Sequence, residues 1–221
     1  MIPATYDSEV LSRAVRTALD SPDGDWYRNM IRKDACGCRL NQEEERAVLD
    51  GAVRTAAALA RRFTARYGEL SPEELGEALS LKLVQTSGEL LEAYLYIGLY
   101  EPASRTITLN GSALGLIRQF IDANGLGGLT PPDDIMRLAL FHEIFHALEE
   151  ETPGIYTRSR MLERKMLGIF PYRRGLDSVS EVGAVHFSKS MVGVAYSPCI
   201  YQQYLLLALG QLSIDFLAPN V

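Results

Sequence analysis

Apolar side chains return every three to four positions through most of this chain, so the segments that break the rhythm mark its architecture. Ser8 to Leu19 keeps helical spacing, Trp26 to Ile31 predicts a short second element, and Cys36-Gly37-Cys38 predicts a turn. From Asn41, with Glu44 as capping-box partner, residues Val48, Ala52, Val53, Ala56, Leu59, Ala60 and Phe63 trace one face of a long amphipathic helix ending near Gly68. Ser71-Pro72-Glu73-Glu74 repeats the start signals, with a cap, a first-turn proline and acids at the positive end of the dipole. This second helix is expected to run to about Val84.

The period then changes. Tyr94 to Tyr100 is rich in aromatic and aliphatic residues, Glu101-Pro102-Ala103-Ser104 carries turn residues, and Arg105-Thr106-Ile107-Thr108-Leu109 alternates around β-branched positions, which together predict a β-hairpin. Asn110-Gly111-Ser112 breaks the strand and opens a helix to about Asn124, followed by a flexible glycine-rich connection, Gly125 to Gly128. Thr130 is the expected cap of the next helix, with Pro131 at its first position and Asp133 as partner. From Ile135 to Leu148 this helix is almost wholly apolar except for Arg137 and one polar cluster, so it is expected to be largely buried. Thr152-Pro153-Gly154 stops it. A charged stretch from Arg158 to Lys165 reads as helix, Phe170 to Gly175 as loop, Ser178 to about Val192 as a buried helix, and Ile200 to Phe216 as an apolar terminal helix after Pro198.

Composition sets outer limits on this pattern. A chain of 221 residues, 47% hydrophobic and 23% charged, is an ordinary globular protein of one domain or one domain with a helical extension. Its net charge of −6 is dispersed, and short pairs such as Arg61-Arg62 and Arg173-Arg174 read as solvated charges, so nucleic acid is not an expected partner. The first residues, MIPATYDSEV, lack the basic and apolar regions of a secretory signal, and Tyr204 to Leu209, the most apolar stretch, is too short to span a bilayer. Three cysteines, an odd number, suit a reducing compartment, and the expected location is cytoplasmic. Cys36 and Cys38 have no second pair with which to build a zinc site, so they read as structural or incidental.

The polar cluster in the buried helix is His142-Glu143-Ile144-Phe145-His146, which holds two of the three histidines in the chain. Four helical residues advance about 400°, so both imidazoles face one way about 6 Å apart and can share a metal ion, while Glu143 can reach a water on it as general base. Zn2+ is the expected cofactor, and polar groups buried at this spacing need such a partner. Catalytic zinc takes three protein ligands, so one more is needed downstream. The longer pattern with a third histidine, found in metzincins, would need glycine at 149 and histidine at 152, where this chain has Glu149 and Thr152. Glu163, Asp177, Glu181 and His186 remain. Glu181 is preferred, because it is an isolated carboxylate among Ser180, Val182, Gly183 and Ala184, whose small side chains let a second helix come close. His186 lies about 140° around a helix from Glu181, so the two cannot comfortably face one metal. Glu163 reads as a solvated charge.

With His142, His146 and Glu181-Val182-Gly183-Ala184 in place, the chain resembles gluzincin-type metallopeptidases, in which the glutamate of an E-x-x-A motif on a later helix ligates zinc. Where that motif often continues with aspartate this chain has Val185, so a carboxylate that steadies a ligand histidine is expected elsewhere, with Asp177 as candidate. The order of hairpin, helix and motif helix over residues 90 to 190 also resembles minimal gluzincin-like domains that act on repressors. The resemblance implies an α+β, mainly helical fold: a zincin-like core with a small β-hairpin or sheet, an active-site helix and a following glutamate helix. Residues 1–88 then form a helical N-terminal region and 89–221 the metal-binding core with its C-terminal helix, packed together as a single domain. The expected function is a zinc-dependent metallopeptidase acting on a peptide or protein substrate, with Glu143 as base and a strand of the hairpin aligning the substrate. For the oxyanion, Tyr156, Tyr172, Arg173, His186 and Tyr196 stay open, and His186, Asp177 and Tyr196 are the residues expected to steady a ligand or the transition state. A metal-retaining regulatory or interaction module with little peptidase activity is the competing expectation.

Overall fold

A computed structural model describes residues 6–68, 70–87, 96–166 and 170–219, and side chains outside 161–174. Most of the chain is helical, with a small three-stranded sheet, so the fold is α+β and mainly helical. The helices predicted from Asn41 and Ser71 begin at those caps. Asp7 accepts from the Glu9 and Val10 amides to start α1 (Ser8–Asp20), and after α2 (Asp23–Lys33) the Asn41 and Ser71 capping boxes open α3 (Gln42–Tyr67) and α4 (Pro72–Ala78).

Helix α4 stops at Ala78 rather than near Val84. Ser80, at φ 52°, turns the chain, and the alternating run after it becomes β1 (Lys82–Thr86). β2 (Gly98–Glu101) and β3 (Thr106–Asn110) form the expected antiparallel hairpin, whose start at Tyr94-Leu95 lies outside the described residues. β1 joins β3 in parallel, giving the order β1-β3-β2 and leaving β2 at an edge. Arg105, at φ 50° in the hairpin turn, donates to the Leu79 and Ser80 carbonyls and pairs with Glu151 at 2.6 Å, which ties the hairpin to the α4–β1 turn.

Asn110 ends β3 and caps α5 (Gly111–Ala123) by accepting from the Ala113 amide. The next helix, α6 (Asp134–Glu150), starts later than predicted, and Thr130 is not its cap. Thr130 is fully buried, its hydroxyl 3.1 Å from that of Tyr204, so tertiary packing takes the group that would have capped. The charged stretch after Thr152 is not a helix either. A single turn, α7 (Tyr156–Ser159), leads into an antiparallel pair of strands, β4 (Met161–Met166) and β5 (Phe170–Gly175), where helix and loop were expected. Main-chain pairing across the ladder replaces local helical bonds there. α8 (Asp177–Val192) matches expectation, whereas α9 (Cys199–Ala208) ends well before Phe216, because Gly210, at φ 70°, closes it in a left-handed turn.

Two apolar clusters hold these elements together. One gathers Leu11, Trp26, Ile31 and Val48 with Phe120, Leu138, Val182 and Tyr204, and the other joins Phe63 and Leu75 to Ile107, Phe145 and Phe187. Each mixes residues from both sides of position 88. All three cysteines are free, and no described helix is long and apolar enough to cross a membrane.

Candidate metal centre

Packing fixes the orientation of α6 before any polar group is considered. Phe141 and Phe145 meet Phe187 of α8, and Phe141 also meets Phe63 of α3. That leaves His142 and His146 on the remaining face, with side chains 23% and 20% exposed. α8 lies close against this helix because Gly183 has no side chain: a Cβ there would sit 2.6 Å from the Phe145 ring. The close approach carries Glu181 to both imidazoles.

His142 Nε2 and His146 Nε2 are 3.3 Å apart, and the Glu181 oxygens lie 3.2 Å from the first and 3.5 Å from the second. Donors about 2.0–2.1 Å from a tetrahedral zinc are separated by about 3.3–3.4 Å. The two imidazole nitrogens match that spacing, each Glu181 oxygen approaches a different imidazole, and one donor atom from each residue lies within 4.8 Å of the others. They are the only such group of three metal-binding side chains among the described residues. Desolvation beside the packed helices works against the Glu181 carboxylate, although 49% of its side chain is exposed, but the hydrogen bond with His142 and the two imidazoles hold its pKa down at about 2. Burial likewise depresses the His142 imidazole, yet Glu181, Glu143 and Glu149 together hold it above its ordinary value. Three carboxylates around two imidazoles give a field that favours a cation.

Glu149 is the carboxylate that sequence reasoning missed. Its side chain is 1% exposed, Oε2 lies 3.1 Å from His146 Nδ1 and accepts from the Ser180 hydroxyl at 2.5 Å, and Oε1 is buried without a partner among the described residues. With a proton on Nδ1 directed at Glu149, His146 presents the bare Nε2 that a metal needs. The only signal was the i,i+3 spacing from His146, hidden in the run Glu149-Glu150-Glu151.

Glu143 is 6% exposed, and burial raises its pKa while the Tyr100 amide donates to it. The edge strand β2 presses against it: a Cβ on Gly98 would fall 2.8 Å from Glu143 Oε1. Open space flanks the donors on two sides. One cavity, about 400 Å³, is polar and has Asp177, Ser180 and Arg158 in its wall, with Arg158 paired to Glu150. The other, about 660 Å³, is mostly apolar.

The remaining candidates are distributed as follows. Asp177 reaches the polar cavity, whereas the carboxylate beside His146 is Glu149. His186 faces away from the centre, 3.2 Å from the Tyr27 hydroxyl, in a separate cavity with Asp23 and Glu45. The Tyr196 hydroxyl lies 2.7 Å from that of Tyr201, and Tyr156 donates to the Ala47 carbonyl, so neither reaches the donors. The side chains of Glu163, Tyr172 and Arg173 lie outside the described residues. Comparison of the chain with family models, curated proteins and solved structures returns no match.

Proposed function

We propose that the protein is a zinc-dependent metallopeptidase with a zincin-like core, in which His142, His146 and Glu181 hold the metal. The observation that carries this reading is the donor group: His142 Nε2 and His146 Nε2 stand 3.3 Å apart, and the two Glu181 oxygens lie 3.2 Å and 3.5 Å from one imidazole each, a spacing that suits a tetrahedral ion with one position left for water. When bound, zinc supplies Lewis acidity, which acidifies water and polarises a carbonyl.

The chain's own groups supply the rest. Glu143, kept basic by burial and located between the two cavities, takes the proton of the attacking water and delivers it to the leaving amine. Glu149 and Ser180 hold the His146 ring in one tautomer and orientation. Among the described residues β2 is an edge strand that lines the polar cavity from Gly98 to Tyr100, and apart from the Tyr100 amide, which Glu143 takes, its outward main-chain groups are the ones with which an extended peptide pairs. The substrate is a peptide or protein met in the cytoplasm, a location that the three free thiols favour.

The test is hydrolysis of a broad peptide library by zinc-loaded protein. Glu143→Gln should lower kcat by about a hundredfold or more while leaving the zinc content unchanged. Equal rates in the two proteins would remove Glu143 from the chemistry. A zinc-loaded wild type that cleaves nothing would favour a regulatory or interaction module.

A further inference from the structure

The polar cavity beside the donors contains one cationic side chain. Its wall brings Arg158 of α7 together with His142, His146, Glu181 and the base Glu143, and Arg158 is the only lysine or arginine in it among the described residues. α7 is a single turn, yet it is tied down on both sides. A Cβ on Gly51 of α3 would lie 2.3 Å from the Tyr156 ring, and the Tyr156 hydroxyl donates to the Ala47 carbonyl. Thr157 is buried, its methyl group 3.1 Å from the Cβ position of Gly183 on α8. Arg158 therefore projects from a fixed turn. Its Nη1 pairs with Glu150 of α6, one helical turn, about 6 Å, beyond His146.

Peptide hydrolysis needs a donor in this place. When water attacks, a C–O bond forms and the carbonyl π pair moves onto the carbonyl oxygen, so a donor aimed at that atom lowers the barrier. The other side chains of the wall do not serve. The Thr157 and Tyr100 hydroxyls are buried out of reach, the Ser180 hydroxyl donates to Glu149, and Asp177 bears the wrong sign. Tyr156, His186 and Tyr196 are engaged elsewhere. Arg158 has the right sign and spare donors, since pairing at Nη1 leaves the N–H groups on Nε and Nη2. Its side chain and that of Glu150 are 47% and 44% exposed, so their pair contributes about 1 kcal/mol at most and does not lock the guanidinium.

We propose that Arg158 is a catalytic residue that donates an N–H hydrogen bond to the substrate carbonyl oxygen as charge develops on it. The inference rests on the peptidase reading. Arg158 keeps its proton throughout. Glu143 takes the proton of the water, and as the C=O bond re-forms and the C–N bond breaks, that proton goes to the amine nitrogen.

The experiment compares the zinc-loaded full chain with Arg158→Ala, Arg158→Lys and Glu150→Gln, each with its zinc content measured. Arg158→Ala should lower kcat by about a hundredfold or more with KM little changed. Arg158→Lys should restore part of the loss, because the charge remains while the planar fork is gone. Glu150→Gln should change kcat by no more than about twofold, since the pair it removes is exposed. A second readout needs no turnover. In calorimetry, a phosphinic peptide, whose tetrahedral anion mimics the charged state, should bind Arg158→Ala about a hundredfold more weakly than wild type. The uncharged peptide of the same sequence should bind equally well to Glu143→Gln and to Glu143→Gln with Arg158→Ala. Full-rate cleavage by Arg158→Ala, equal losses of affinity for the two ligands, or loss of zinc from Arg158→Ala would overturn the assignment. So would a Glu150→Gln protein as impaired as Arg158→Ala, because Arg158 would then only anchor α7. Each of these results leaves the peptidase reading standing, whereas a wild type that cleaves no peptide removes both.

Discussion

Glu149 shows how one side chain can determine whether its neighbour is a ligand. A proton drawn to His146 Nδ1 by Glu149 would leave Nε2 bare, so on the zinc reading Glu149→Gln should weaken zinc binding by about ten- to a hundredfold, measured by competition with a chromogenic chelator. An unchanged affinity would assign Glu149 to packing alone. Asp34 acts at longer range. One of its oxygens accepts from the Cys36 and Gly37 amides and the other from Ser178 at the start of α8, a helix whose own N-cap, Leu176, offers no side-chain acceptor. Burial pushes the Asp34 pKa up, but these hydrogen bonds outweigh it and leave the value lowered. A lowered folded pKa means stability that is present above the ordinary carboxylate value and lost as pH falls through the folded one. Asp34→Ala should therefore cost about 1 kcal/mol at neutral pH. The difference in urea midpoint should shrink as the solution is acidified, and a difference independent of pH would contradict the capping role. Glu181 was legible in the sequence because it stands alone among small and apolar residues. Glu149 and Asp34 were not, because nothing local separates them from surface acids.

Capped helices and the β2–β3 hairpin were the legible elements, and β1, β4 and β5 the illegible ones, for a physical reason. A capping box such as Asn41 with Glu44 is complete within four residues, so sequence alone locates it. β1 instead pairs with β3 residue for residue from Lys82–Thr106 to Thr86–Asn110, and β4 finds its partner in β5, so their main-chain bonds depend on segments that a local period does not see. Thr130 failed as a cap in the same way, since Tyr204, far along the chain, claims its hydroxyl. Two glycines place elements at the centre and make specific predictions. Gly183→Leu forces α8 off Phe145, which should destabilise the protein by about 1–3 kcal/mol and weaken zinc binding with it. Gly98→Val pushes first on Glu143, whose atoms are the nearest to a Cβ there, so it should lower kcat while zinc content holds. Loss of zinc from the Gly98 variant would show that β2 supports the ligands as well as the base.

At the scale of the molecule, the centre joins two helices that the apolar clusters already hold, one cluster drawing on the chain from Leu11 onward and the other from Ala56. Metal binding should therefore add to the stability of the whole fold rather than create it. Free zinc at about a thousandfold over its Kd adds about 4 kcal/mol to the folded state, which raises Tm by about 8–16 °C for a chain of this size. The shift should vanish in the presence of a chelator. The most direct measurement of the central claim is the zinc content of purified protein by elemental analysis, wild type beside His142→Ala and Glu181→Ala. The donor group predicts one zinc per wild-type chain and loss of the metal in both variants. A wild type without zinc, or a Glu181→Ala protein that keeps its full complement, would contradict it.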